Sequence, residues 1–91
     1  MIGMDLRFDT DAAKMHVTMY TSTFVSLAVL PKVDAASGVY MNHFSVFKNG
    51  DTYDVHASLK WRDGHEEKVV LEKQTWAYVE NYIDACIAHY L

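Results

Sequence analysis

Two histidines and an aspartate are the residues whose types and spacing could do chemistry in this chain. His43 and His56 lie on either side of Asn49-Gly50, within runs that alternate between apolar and polar residues. Asp54 precedes His56 by two positions, so the two side chains share a face if the segment is extended. Imidazole nitrogens and carboxylate oxygens bind zinc and other divalent ions. The three residues are therefore a candidate metal site.

The turn at Asn49-Gly50 determines which of these side chains meet. Asn-Gly between alternating runs is typical of a type I′ hairpin turn, whose two central residues need positive φ. A two-residue loop at this position pairs Lys48 with Asp51. It places His43 opposite His56, with Cα atoms about 4.5 Å apart if the pair is not hydrogen-bonded.

The same register gives the hairpin, predicted at 40–48 and 52–61, one apolar face. Its predicted pairs are Phe44–Val55, Val46–Tyr53 and Tyr40–Leu59. A shift of one residue would expose these side chains, so the pattern restricts the register.

A third strand follows the second turn. Arg62-Asp63-Gly64 suits a three-residue loop with Gly64 in the left-handed region, which pairs Trp61 with His65. Val69 and Leu71 then lie on the apolar face, and Lys60 lies opposite Glu66 as an exposed ion pair. The sequence predicts a three-stranded meander over 40–72.

The period changes from two to 3.6 after this meander, which predicts an amphipathic helix with Thr75 as its N-cap. Its apolar stripe holds Trp76, Val79, Ile83, Cys86, Ile87 and Tyr90. Because Cys86 lies on this stripe, we interpret it as a small buried hydrophobe rather than a reactive thiol.

The N-terminal third is predicted to add strands to the sheet. Alternation favours strands at 4–9, 14–21 and 23–30, and a helix over 11–20 is the alternative for part of this region. The expected fold is a single α+β domain over 1–91, an antiparallel sheet covered by a C-terminal helix.

Composition limits the classes of function. The 91 residues include 12 acidic and 8 basic side chains, a net charge of −4, which argues against direct binding to nucleic acid but suits basic protein partners. The four glycines form no phosphate-binding loop, and one cysteine allows neither an internal disulfide nor a cysteine-pair zinc site. A single cysteine, no apolar leader and no long apolar run predict a cytoplasmic protein rather than a secreted or membrane protein.

Aromatic and acidic residues outside the apolar stripes form a candidate partner-binding surface, because aromatics and methionine are enriched at interface centres. They are Met41, Phe47, Tyr78, Glu80, Tyr82 and Asp84. We therefore expect a non-enzymatic protein-binding module of adaptor or inhibitor type, such as an antagonist of a nucleic-acid-handling enzyme complex, or a self-associating subunit. No cofactor is expected on this interpretation. The alternative is a small enzyme subunit that binds a metal or another ligand at His43, His56 and Asp54, completed by dimerisation.

Overall fold

The computed structural model describes residues 13–91, which form one five-stranded antiparallel sheet followed by one helix. The elements are β1 Ala13–Tyr20, β2 Phe24–Pro31, β3 Val39–Asn49, β4 Thr52–Trp61, β5 Glu66–Gln74 and α1 Trp76–Tyr90. Strands that follow each other in the chain are neighbours in the sheet, in the order β1-β2-β3-β4-β5. The predicted α+β class is confirmed, and the strand predicted at 4–9 lies outside the described residues.

The two N-terminal strands are confirmed where the structure describes them, and the alternative helix over 11–20 is wrong for its described part. The alternating positions Val25, Leu27 and Val29 of β2 are fully buried, so the period of two in the sequence records burial of one face. A short turn joins β1 to β2, where Thr21 N donates to Phe24 O at 2.7 Å.

The β3–β4 hairpin has a different register from the predicted one. Asn49 pairs with Thr52, so the loop residues are Gly50 and Asp51, and the predicted pairing of Lys48 with Asp51 is wrong. Gly50 has a φ of +63°, whereas Asn49 and Asp51 are not in the positive-φ region. A turn with positive φ only at its first central position is of type II′, which requires glycine there.

The shift amounts to two residues, so the side chains of residues 41–48 keep their predicted faces while their neighbours change. Phe44 faces Ala57 instead of Val55, and Val46 faces Val55 instead of Tyr53.

The predicted pairing of Tyr40 with Leu59 is also wrong. The register shifts between Val39 and Met41, which leaves the Tyr40 side chain 44% exposed. Leu59 instead faces Asn42, which is fully buried and whose Nδ2 donates to Ser58 O at 2.9 Å. A polar residue therefore occupies the core position that the alternation had assigned to tyrosine.

The second hairpin agrees with the prediction. Trp61 N donates to His65 O at 2.9 Å across the three-residue loop, and Gly64 has a φ of +95°. Lys60 lies opposite Glu66 as expected. The carboxylate of Glu66, however, makes its ion pair with Lys68 Nζ, 3.5 Å away on the same strand.

The helix covers one face of the sheet along its predicted stripe. Thr75 Oγ1 accepts a hydrogen bond from Tyr78 N at 3.1 Å, which caps the first turn. Val79, Ile83, Cys86 and Ile87 are buried against the sheet. Burial raises the pKa of the Cys86 thiol, as expected for an unreactive core position. Within residues 13–91, no helix is long and apolar enough to cross a membrane.

We predict that Ile83→Ala lowers the free energy of unfolding by about 2–5 kcal/mol, because it leaves a cavity under a fully buried side chain. Urea denaturation followed by circular dichroism measures this. Asn81→Ala, at an exposed position of the same helix, is the control and should stay within about 0.5 kcal/mol of the parent protein. Equal stability of the two variants would contradict the packing described above.

Candidate functional site

The face of the sheet opposite the helix has no covering helix or strand within the described residues. We call it the open face. Its side chains include Met19, Phe24, Ser26, Met41, His43, Ser45, Phe47, Asp54, His56, Ser58, Lys68 and Val70. The positions that the sequence proposed for a metal site all lie here, as do Met41 and Phe47 of the proposed partner surface.

The two histidines do not face each other. His43 pairs with Ser58, and His56 pairs with Ser45, so the predicted direct pairing of the histidines is wrong. The reason is the two-residue shift of the hairpin, which moves them to diagonal positions on the same face. Both line one shallow cavity of about 250 Å³, together with Ser45, Ser58, Lys68 and neighbouring residues.

His43 belongs to a chain of hydrogen bonds across three strands. Its Nε2 lies 2.8 Å from Ser26 Oγ, and Thr18 Oγ1 lies 3.0 Å from the same Ser26 oxygen. Desolvation by burial, aided by the positive charge of Lys60, lowers the pKa of His43. A neutral imidazole beside a serine hydroxyl could act as a base toward it. Within residues 13–91, however, no carboxylate hydrogen-bonds to His43, so a serine–histidine–acid triad is not formed.

Asp54, on β4, has a structural role beside the edge strand β5. The register of β4 and β5 shifts beside it, so Glu72 and Lys73 together lie opposite this one residue. Lys73 has a φ of +57°, an unfavourable conformation for a residue with a Cβ. Asp54 Oδ1 accepts a hydrogen bond from Lys73 N at 2.9 Å, which holds this bulge in place.

The three predicted metal ligands are therefore not arranged as one cluster. Among residues 13–91, no group of three or more His, Cys, Asp or Glu side chains is positioned to hold a metal ion. His43 is hydrogen-bonded to Ser26, and Asp54 is hydrogen-bonded to the backbone of the β5 bulge.

An aromatic cluster occupies another part of the open face. The rings of Phe24 and Phe47 have centroids 4.7 Å apart, and the His56 ring meets Phe47 edge-on at 5.3 Å. Phe47 is 39% exposed and nearby Met19 is 53% exposed. Sequence reasoning missed Phe24 and Met19 as surface candidates. The alternation in β2 could have placed Phe24 on the face opposite the core, because the even positions of this strand alternate with the buried Val25, Leu27 and Val29.

The proposed helix residues lie on the other side of the molecule. Tyr78 is 48% exposed, Asp84 is exposed and Glu80 is half-buried. Tyr82 instead packs its ring edge-to-face against Phe44 at 6.2 Å. Burial raises the pKa of Tyr82 above its usual value. The predicted partner surface is thus divided into two parts on opposite sides of the sheet.

We predict that the free energy of unfolding falls as the pH drops below about 6.5, the usual histidine pKa. The folded state lowers the pKa of His43, so the unfolded chain takes up this proton first and is stabilised by acid. The contribution is fully present above pH 6.5 and is lost as the pH decreases through the lower folded-state value.

Denaturation at several pH values between 7.5 and 5 measures this effect. His43→Gln should reduce the slope between stability and pH relative to the parent protein, measured at the same pH values. An unchanged slope in His43→Gln would contradict the assignment.

We also predict that Asp54→Ala destabilises the protein by about 1 kcal/mol, since Lys73 N loses its acceptor in the bulge. Asp54→Asn retains an amide oxygen at that position and should keep most of the stability. Thermal denaturation of both variants makes the comparison. Equal losses would show that the carboxylate charge matters more than the hydrogen bond.

The geometry on this face can thus bind through apolar and aromatic contact, with polar groups around it, but it assembles neither a metal cluster nor a catalytic triad from the described residues. Comparison of the chain with protein-family models, with curated proteins and with solved structures finds no match.

Proposed function

We propose that this protein is a small non-enzymatic protein-binding module whose partner covers the open face of the sheet. The observation that carries the proposal is the cluster of the half-buried Phe24 with the exposed Phe47 and His56, together with the exposed Met19 on the same face. Aromatic residues and methionine are enriched at the centres of protein interfaces, where they contribute much of the affinity.

The layout of the face supports a macromolecular partner. Charged and hydroxyl side chains such as Asp54, Ser58 and Lys68 lie on the same face as the aromatic cluster, in keeping with an apolar centre and a polar rim. The cavity of about 250 Å³ is smaller than most sites for drug-sized ligands, which run from roughly 300 to 1,000 Å³. A flat protein surface fits such a face better than a small molecule does.

Charge indicates the class of partner. The chain has a net charge of −4, and α1 carries Glu80 and Asp84 without any lysine or arginine. This negative potential would attract a basic protein surface during encounter, while the open face supplies the close contact. Enzymes that handle nucleic acids have basic surfaces for phosphate, so an adaptor or an antagonist of such an enzyme complex is the finer form of the proposal.

A small-ligand site is the second candidate, favoured by the cavity that His43 and His56 share with Ser45, Ser58 and Lys68. The protein would then be a subunit of a ligand-binding enzyme, with the shallow site completed by a second copy. Calorimetric titration with zinc chloride, and separately with inorganic phosphate, distinguishes the candidates. Saturable heat that disappears in His56→Ala would support this second function.

We predict that Phe47→Thr weakens capture of the partner by at least about tenfold, because it removes an aromatic side chain from the centre of the contact. The immobilised protein is first used to capture partners from an extract of its source cells, and the captured protein is then quantified with each variant. Tyr78→Gln, an aromatic substitution on the helix side, is the matched control and should retain capture.

The free energy of unfolding of both variants must be measured alongside. Loss of capture by a folded Phe47→Thr protein supports the proposal. Undiminished capture by Phe47→Thr, or loss confined to Tyr78→Gln, would move the binding site away from the open face.

A further inference from the structure

The outer edge of β5 is an open strand edge within the described residues, since β5 pairs only with β4 there. Unpaired N–H and C=O groups along such an edge can pair with a strand of another chain. Five consecutive residues of this strand, from Glu66 to Val70, are exposed. Two of them are valines, Val69 at 39% and Val70 at 53% exposure, one on each face of the sheet.

The hydrogen-bond pattern identifies the backbone groups at this edge. Trp61 N donates to His65 O at 2.9 Å, so this pair is hydrogen-bonded across β4 and β5. Hydrogen-bonded and non-hydrogen-bonded pairs alternate along an antiparallel ladder. Glu66, Lys68 and Val70 therefore direct their N–H and C=O groups away from β4.

We propose that β5 pairs antiparallel with β5 of a second copy of this chain, about a two-fold axis at Val70. In this register Lys68 lies opposite Glu72 of the second copy, and the symmetry repeats the pair on the other side of the axis. Val69 lies opposite Leu71 of the second copy, on the face that carries the helices. The contact covers apolar side chains that α1, which packs over the middle strands, leaves exposed.

Charge complementarity selects this register among the two-fold alternatives. An axis at Lys68 places two lysines opposite each other, and an axis at Glu72 places two glutamates opposite each other. An axis at Val69 places Glu66 opposite Glu72. An axis at Leu71 aligns no opposite charges. An axis at Glu67 pairs Glu66 with Lys68 but places two Glu67 side chains opposite each other. The axis at Val70 pairs lysine with glutamate without placing like charges opposite one another, and opposite charges across a strand pair are stabilising.

The bulge at Lys73 limits the strength of the contact. Its φ of +57° ends the regular part of β5 soon after Leu71, so the ladder has few pairs on either side of the axis. The dimer is accordingly weak and sensitive to salt, because its ion pairs are exposed to solvent. The dimer joins two sheets side by side, so the open face of each copy remains accessible. A partner with two binding sites would therefore bind the dimer with higher affinity than it binds the monomer.

Sedimentation velocity over a range of protein concentrations, at low and high salt, tests the dimer. We expect a monomer–dimer equilibrium whose dissociation constant rises with salt. Lys68→Glu and Glu72→Lys should each weaken it by at least about tenfold, because each places like charges opposite one another. Lys48→Glu, at an exposed position of the other hairpin, is the control and should retain the dimer.

Exchanging the two charges distinguishes the specific pairing of residues 68 and 72 from a general effect of net charge on association. The double variant Lys68→Glu/Glu72→Lys should recover the dimer, and a mixture of the two single variants should form heterodimers. Circular dichroism verifies that every variant is folded. A monomer at all concentrations, or a dimer that neither single variant weakens, overturns the proposal. Neither result bears on the open face, which is tested through Phe47.

Discussion

The packing of one helix against one face of the sheet is the interaction on which the rest of this structure depends. The helix contains Glu80 and Asp84 one turn apart and has no lysine or arginine, so its own side-chain charges do little to stabilise it. Burial of Val79, Ile83 and Ile87 against the sheet supplies that stability. Since 15 helical residues lie mainly over β3 and β4, the opposite face and the β5 edge are left open within the described chain.

This asymmetry divides the surface into regions with different properties. The helix side is acidic and carries Tyr78, whereas the open face combines an aromatic cluster with hydroxyl and imidazole groups. A broad, shallow face of this composition suits contact with a protein more than chemistry on a small substrate.

Three polar residues of the open face, Ser26, His43 and Asp54, form hydrogen bonds within the fold. Ser26 connects Thr18 to His43 across three strands, and the low pKa of His43 keeps its imidazole neutral near pH 7. Asp54 holds the bulge at Lys73. Residue types that are common in metal and catalytic sites therefore serve here to connect neighbouring strands, and the half-buried ring of Phe24 packs beside the exposed ring of Phe47 on the same face.

The sequence by itself determined the elements, because strand alternation and the helical stripe both record which side chains are buried. It also determined the β4–β5 register, since Arg62-Asp63-Gly64 admits one loop that keeps Val69 and Leu71 on the apolar face. The β3–β4 register was decided only in the tertiary structure. Asn49-Gly50 is compatible with a loop at 49–50 and with a loop at 50–51. The partner of each strand residue differs by two positions between them, so both keep the same side chains on the core face.

That ambiguity carried over directly to the candidate site. Which side chain faces His43 depends on the register, so the pairing with His56 could not be predicted from alternation alone. The role of Asp54 depends on a bulge in a different strand, where Lys73 adopts a backbone conformation that glycine or asparagine usually marks. A lysine gives no local signal of it, because the hydrogen bond that stabilises it comes from a residue 19 positions away.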